Sequence, residues 1–119
     1  MTLRTYSVEN LTDITPGSTL IFDAGSTYTI NGILTLNGQA VGTRIILNSS
    51  DGFTRFTFDV GAANPQTVFY VDVSNSEAAG SDITAFFSFD RANNDSGEGT
   101  PQWVFPAAGP LRGAVMVVD

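Results

Sequence analysis

Short apolar runs, each interrupted by Gly, Pro, Asn, Asp, Ser or Thr, recur along the whole chain, and no window of twelve residues carries an apolar stripe of helical period. The pattern predicts an all-β protein. Runs of β-forming residues stand at Thr19–Phe22, Thr27–Ile30, Ile33–Leu36, Arg44–Leu47, Phe53–Val60, Thr67–Val73, Ile83–Phe89, Gln102–Phe105 and Ala114–Val118, each bounded by turn residues. Within one of them Phe56, Phe58 and Val60 alternate with Thr57 and Asp59, the period-two arrangement of a strand with one buried face.

Self-similarity refines this expectation. Thr19, Thr43 and Thr67 fall at one constant interval, and on that spacing Thr19-Leu20-Ile21-Phe22 lies over Thr43-Arg44-Ile45-Ile46 and Thr67-Val68-Phe69-Tyr70. Ser26, Ser50 and Ser74 share a later column, Leu34 lies over Phe58, and Leu36 over Val60. Coils of a parallel solenoid would stack such residues about 4.8 Å apart, where hydroxyl pairs contribute roughly 0.2–1 kcal/mol each. The expected fold is a short parallel β-helix (solenoid) over 1–105 with coils of about 24 residues, followed by an apolar tail at 106–119 that serves assembly or capping. The alternative is a β-sandwich or jelly roll, because so few strands leave the direction of pairing open.

Composition narrows the chemistry. A chain of 119 residues suits one domain with a core of its own. It has no Cys and no His, so thiolate and imidazole zinc sites, Cys and His nucleophile–base pairs and the usual neutral-pH proton shuttle are all missing. Twelve acidic side chains face five basic ones, all Arg (Arg4, Arg44, Arg55, Arg91, Arg112), for a net charge of −7. That charge repels a phosphate backbone, so nucleic acid is not an expected partner. The N-terminus lacks a basic segment followed by an apolar core, and nowhere is there an uninterrupted apolar run long enough to cross a bilayer, so neither a signal peptide nor a membrane span is expected.

The quoted runs resemble a known pattern. Gly32-Ile33-Leu34-Thr35-Leu36-Asn37-Gly38, Thr43-Arg44-Ile45-Ile46-Leu47-Asn48-Ser49-Ser50, Val68-Phe69-Tyr70-Val71-Asp72-Val73-Ser74, Ile83-Thr84-Ala85, Asn93-Asn94 and Trp103-Val104-Phe105 together are similar to a right-handed parallel β-helix module of bacterial surface and secreted proteins and of phage structural proteins. The resemblance implies the closing coils of a β-helix, with the Trp-x-Phe segment sealing the end, and a role in scaffolding and display.

Few residues are candidates for chemistry. Asp59, Asp72 and Asp90 could form a carboxylate pair for glycoside hydrolysis at the required ~5–9.5 Å, although acids facing solvent are the simpler reading for so acidic a chain. Asn93-Asn94-Asp95-Ser96-Gly97-Glu98, with Asp90, offers oxygen ligands for Ca²⁺, yet a polar surface turn needs the same residues. No cofactor or metal is expected. Phe53, Phe56, Phe58, Phe69, Phe86, Phe87, Phe89 and Phe105 read mainly as core, except that adjacent Phe86 and Phe87 in a regular strand must point to opposite faces, leaving one, Phe86, for an interface. Arg44 and Arg55 stand in otherwise uncharged runs, suited to pairing with a carboxylate of a neighbouring subunit or of the same chain. Trp103 reads as a core plug with an interface role as the other option, and Val115 and Val117 as the assembly face of the tail. A short solenoid exposes unpaired edges at its ends, and association covers them. The expected function is a non-enzymatic virion structural protein of a bacteriophage: a capsid decoration or accessory protein that forms a homo-oligomer, a trimer, and docks on a larger capsid or tail protein. The alternative is a bacterial extracellular or cell-surface adhesin or glycan-binding module.

Overall fold

The computed structural model describes residues 4–106. Among them are thirteen short strands: β1 Thr5–Val8, β2 Leu11–Asp13, β3 Thr19–Phe22, β4 Thr27–Ile30, β5 Leu34–Asn37, β6 Ile45–Ser49, β7 Phe56–Val60, β8 Gln66–Phe69, β9 Val71–Ser74, β10 Ser76–Ala79, β11 Ile83–Thr84, β12 Phe89–Ala92 and β13 Trp103–Val104. The one helical element among the described residues is a 3-10 turn at Val41–Thr43, and no helix there is long and apolar enough to cross a membrane. The protein is all-β.

Three sheets are ordered β1-β4-β7-β10, β2-β5-β8 and β3-β6-β9-β12, and β11 pairs with β13 in a fourth. All these ladders are parallel. The chain therefore visits the three sheets in rotation, and each strand pairs with one three strands later. Parallel pairing throughout the described residues is incompatible with the antiparallel ladders of a sandwich or jelly roll.

The interval between paired residues is uneven, which corrects the expectation of an even repeat. Asp72 pairs with Phe89, whereas Leu34 pairs with Gln66, a step in sequence nearly twice as long. Thr19 lies beside Ile46 and not Thr43, which falls in the 3-10 turn, while Thr67 lies beside Thr35. Turns of unequal length, such as Gly38–Arg44 and Asp51–Arg55, absorb the difference. Hydroxyl columns do form, but from other residues: Thr5, Thr27 and Thr57 on one sheet, Thr12, Thr35 and Thr67 on another. A third column is made of amides, where Asn75 Nδ2 donates to Asn48 Oδ1 (2.8 Å) and Asn93 Nδ2 to Asn75 Oδ1 (2.7 Å).

Side chains pointing inward form one core. Ile30, Leu34, Leu36, Ile45, Leu47, Phe56, Phe58, Val60, Val68, Val71, Val73, Ile83 and Trp103 are sealed from solvent, each burial contributing about 1.5–3 kcal/mol. Phe22 stacks on Phe56 with ring centres 4.6 Å apart. Corners are turned by residues in the left-handed region, among them Tyr70 (φ 55°), Asn75 (57°) and Phe87 (52°). Gly80 (φ 79°) closes the corner after β10, where a Cβ would collide with the Val60 carbonyl. The tail placed at 106–119, with Val115 and Val117, lies outside the described residues apart from Pro106.

Carboxylates brace the surface turns. Asp51 accepts from the Thr54 and Phe53 amides, both at 2.8 Å, and from the Thr54 hydroxyl; these bonds pull its carboxyl down to about 2. Burial alone would raise Asp13, but bonds from Ser18 and Thr15 outweigh it and its carboxyl also titrates low. Glu98 is lowered by its bond with Arg55. A carboxyl whose folded pKa lies below its unfolded value stabilises the fold fully above the unfolded value, and that contribution disappears as pH falls through the folded one. With no His in the chain, stability is expected to be level from about pH 9 to 6 and to decline from about pH 5 toward 2. Urea melts followed by Trp103 fluorescence at stepped pH would measure it, and a decline already complete at pH 5 would contradict these assignments.

Candidate functional site

The outer surface at the β8–β9 and β11–β12 corners gathers residues that the ladder cannot bury. Phe86 continues the parallel pattern, its amide donating to the Val68 carbonyl and its carbonyl accepting from Tyr70. At Phe87 the backbone turns left-handed, and the Ser88 hydroxyl locks the corner by accepting from the Val71 amide (3.0 Å) while donating to the Phe86 carbonyl (2.8 Å). This turn corrects the expectation of opposite faces: both Phe86 and Phe87 are exposed, at 41% and 44%. Phe86 stacks on Phe69 at 5.2 Å and Phe87 on Tyr70 at 5.3 Å. Stacking recovers contact that burial does not supply.

Arg44 enters this corner from the residue before β6. Its Nε donates to the Phe87 carbonyl (3.1 Å), and it has no carboxylate partner among the described residues. Beside it, Val41, Gly42, Ile46, Asp72, Phe89 and Arg91 complete a shallow groove of about 380 Å³. Val41, Ile46 and Phe89 expose 61%, 42% and 44% of their surface, so the groove sets apolar wall beside its charged residues. Arg91 forks onto Asp72, Nε to Oδ1 at 2.8 Å and Nη2 to Oδ2 at 2.6 Å, and lies over the Phe89 ring at 4.8 Å. The Asp72 carboxylate holds Arg91 above its ordinary pKa. One arginine of the groove is thus neutralised and the other is not. An Arg with free donors beside apolar walls suits a ligand that carries a carboxylate on an apolar body.

The remaining expected residues fall elsewhere. Arg55 is bound within its own chain: Nη1 and Nη2 fork onto Glu98 at 3.0 and 2.7 Å, Nε reaches the Asn93 carbonyl at 2.8 Å, and Nη2 the Asn94 carbonyl at 3.0 Å. Glu77 lies 3.5 Å from Nη1. Arg55→Ala should therefore cost about 1–2 kcal/mol by releasing the 93–98 loop; a urea melt that does not move would remove Arg55 from that role. Trp103 is fully buried, stacked on Phe105 at 5.8 Å, so its surface serves the core and not a partner. Phe53, Phe87 and Phe89 are exposed, against the expectation of a core role, whereas Phe56 and Phe58 are sealed.

Asp72, Asp90 and Asp95 among the acidic candidates are engaged in bonds with the protein itself. Asp95 accepts two backbone amides, Asp90 accepts from Asn94 and Ser96, and Asp72 holds Arg91. Asp59 lies on β7, in a different sheet from Asp72 and Asp90. Among the described residues no three His, Cys, Asp or Glu side chains converge as a metal site would require. The Asp72–Arg91 pair joins residues far apart in the chain and leaves no local signal, whereas the Phe86-Phe87 doublet marks the corner in the sequence itself. No protein-family model, curated protein or solved structure matches the chain.

Proposed function

We propose that the three sheets close into a short parallel β-solenoid, and that it is a non-enzymatic structural protein of a bacteriophage virion, a capsid decoration or accessory protein that self-associates and docks on a larger shell protein. The observation that supports docking is the groove at Arg44: an arginine with no acidic partner among the described residues, set among exposed Val41, Ile46 and Phe89 on a chain of net charge −7. A shell protein offering a carboxylate within an apolar surface would complete it. Short sheets packed on a single core supply the rigidity that display demands. Gradient-purified particles from a phage that encodes the chain should contain it in many copies by mass spectrometry. Particles lacking the protein should rebind it, and Arg44→Glu should weaken that rebinding at least about tenfold. Absence from the particles would overturn the virion reading.

The second reading, an extracellular or cell-surface glycan-binding module, draws on the exposed Phe87 and Phe89 rings near Arg44, since aromatic faces beside a cation suit an acidic sugar. Binding on a glycan array that is lost in Phe89→Ala, with no rebinding to particles, would favour it.

A further inference from the structure

The two ends of the sheet stack are finished differently, and one of them is unfinished. At the end formed by β10, β11 and β12, side chains replace a missing strand. Asn94 Oδ1 accepts the Ser76 amide (3.0 Å), Asp95 Oδ2 the Ala78 amide (2.9 Å), and the Asp95 amide donates to the Ser76 carbonyl (3.1 Å). The β12 ladder is broken by an irregularity between Asp90 and Ala92, and the very short β11 is covered by β13. Sealing, irregular pairing and shortness are the means by which sheets prevent further strand addition.

At the other end β2 is also short, but among the described residues no side chain caps the outer edge and the three ladders run without irregularity. β1 pairs only with β4, β2 only with β5 and β3 only with β6. The amides of Thr27 and Asn31 take the carbonyls of Arg4 and Val8, the Leu11 amide takes that of Ile33, and the amides of Ile46 and Ser50 take those of Ser18 and Phe22. In a parallel ladder the intervening residues direct their backbone groups the other way. These are Thr5, Ser7, Thr12, Thr19 and Ile21, none of them charged. The core is also unfinished here: Leu11, Leu20 and Tyr28 are only half-buried against it, whereas Leu34, Leu36 and Leu47 are fully sealed. Val8, Ile14 and Ile21 stand exposed.

We propose that a second copy of this chain covers the β1–β2–β3 end, forming a closed pair related by a two-fold axis. The inference rests on the solenoid reading above and replaces the expected trimer. Two arguments select a second copy. First, the chain repels itself over most of its surface at −7, but at this end the outward residues are uncharged. Of the carboxylates nearby, Asp13 is held by Ser18 and Thr15 and Asp23 by Tyr6, while Glu9 in the β1–β2 turn is exposed, as is Arg4 before β1. Second, the opposite end is sealed, so head-to-tail growth is blocked, and apposing two open ends is the arrangement that leaves neither copy with an open edge.

The test uses the full chain. Light scattering over a range of concentrations should give twice 12.6 kDa, and Ile21→Lys, an outward position, should shift the mass to that of one chain with at least about tenfold weaker association. Phe53→Lys, on an exposed turn, should leave the pair intact. Amide hydrogen exchange on the Ile21→Lys variant separates this proposal from the fold reading: Leu20 and Phe22 should be protected while Thr5, Ser7, Thr12 and Thr19 exchange freely. If that alternation is seen but wild type is a single chain, a trimer or a filament, the pair is overturned and the solenoid stands. Loss of the alternation in a variant with wild-type circular dichroism overturns both. A pair broken by Arg44→Glu and not by Ile21→Lys would move the contact to the groove and overturn this end as the surface.

Discussion

Asp95→Ala is expected to destabilise the protein by about 2–6 kcal/mol, the sum of two buried amides left without an acceptor at roughly 1–3 kcal/mol each. The Ala78 and Trp103 amides, at 2.9 and 2.8 Å, each occupy one of its carboxylate oxygens. Asp95 and Ala78 are buried and Trp103 is sealed completely, so water cannot stand in. Asp95→Asn separates charge from connectivity. An amide has one acceptor oxygen, and its NH₂ would face the second backbone donor, so Asn should recover less than half of the loss. Urea denaturation followed by Trp103 fluorescence decides the matter; a loss below about 1 kcal/mol for the alanine variant would mean that the loop does not hold the β10 edge.

Trp103→Ala should cost about 3–5 kcal/mol, the range for removing a large buried aromatic. The indole packs against Phe58 at 6.2 Å and Phe105 at 5.8 Å, and its Nε1 donates to the Ser76 hydroxyl at 2.9 Å. Trp103→Phe keeps most of the ring contact and should cost about 1–2 kcal/mol less than the alanine change. Because Ser76 is fully buried, the two partners are coupled, and Ser76→Ala combined with Trp103→Phe should cost less than the sum of the single changes. Circular dichroism melts give these values without the tryptophan signal, and strict additivity would argue against the bond.

Much of this architecture could be read from residue order. β3, β4 and β7 fall within the runs of β-forming residues, and β4 and β7 alternate, because a strand with one face in the core writes its period into the chain. β10 could not be found this way. Ser76-Glu77-Ala78-Ala79 has little strand preference, and its conformation comes from β7 on one side and from Asn94 and Asp95 on the other. Thr67–Val73 reads as one strand but bends at Tyr70, whose left-handed backbone is held by its tertiary surroundings and carries no Gly or Pro to mark it. The even repeat failed for a related reason: parallel ladders constrain strands, not the turns between them. At the candidate site, Arg44 was visible as a lone cation among β-formers. Its companions come from two other strands, Asp72 from β9 and Phe89 and Arg91 from β12, that only the ladder register aligns.

Order of synthesis gives the sealed end a further meaning. Asn94 and Asp95 are made well after the β10 amides they cover, those of Ser76 and Ala78, and at about 5–20 residues per second the delay is on the order of 1–4 s. For that time a nascent chain can fold β1 through β10 and still present a strand edge to any other nascent chain on the same message. The period of exposure to misassembly is therefore set by the speed of the ribosome, and slow translation between Ser76 and Asp95 lengthens it even if the finished protein is unchanged.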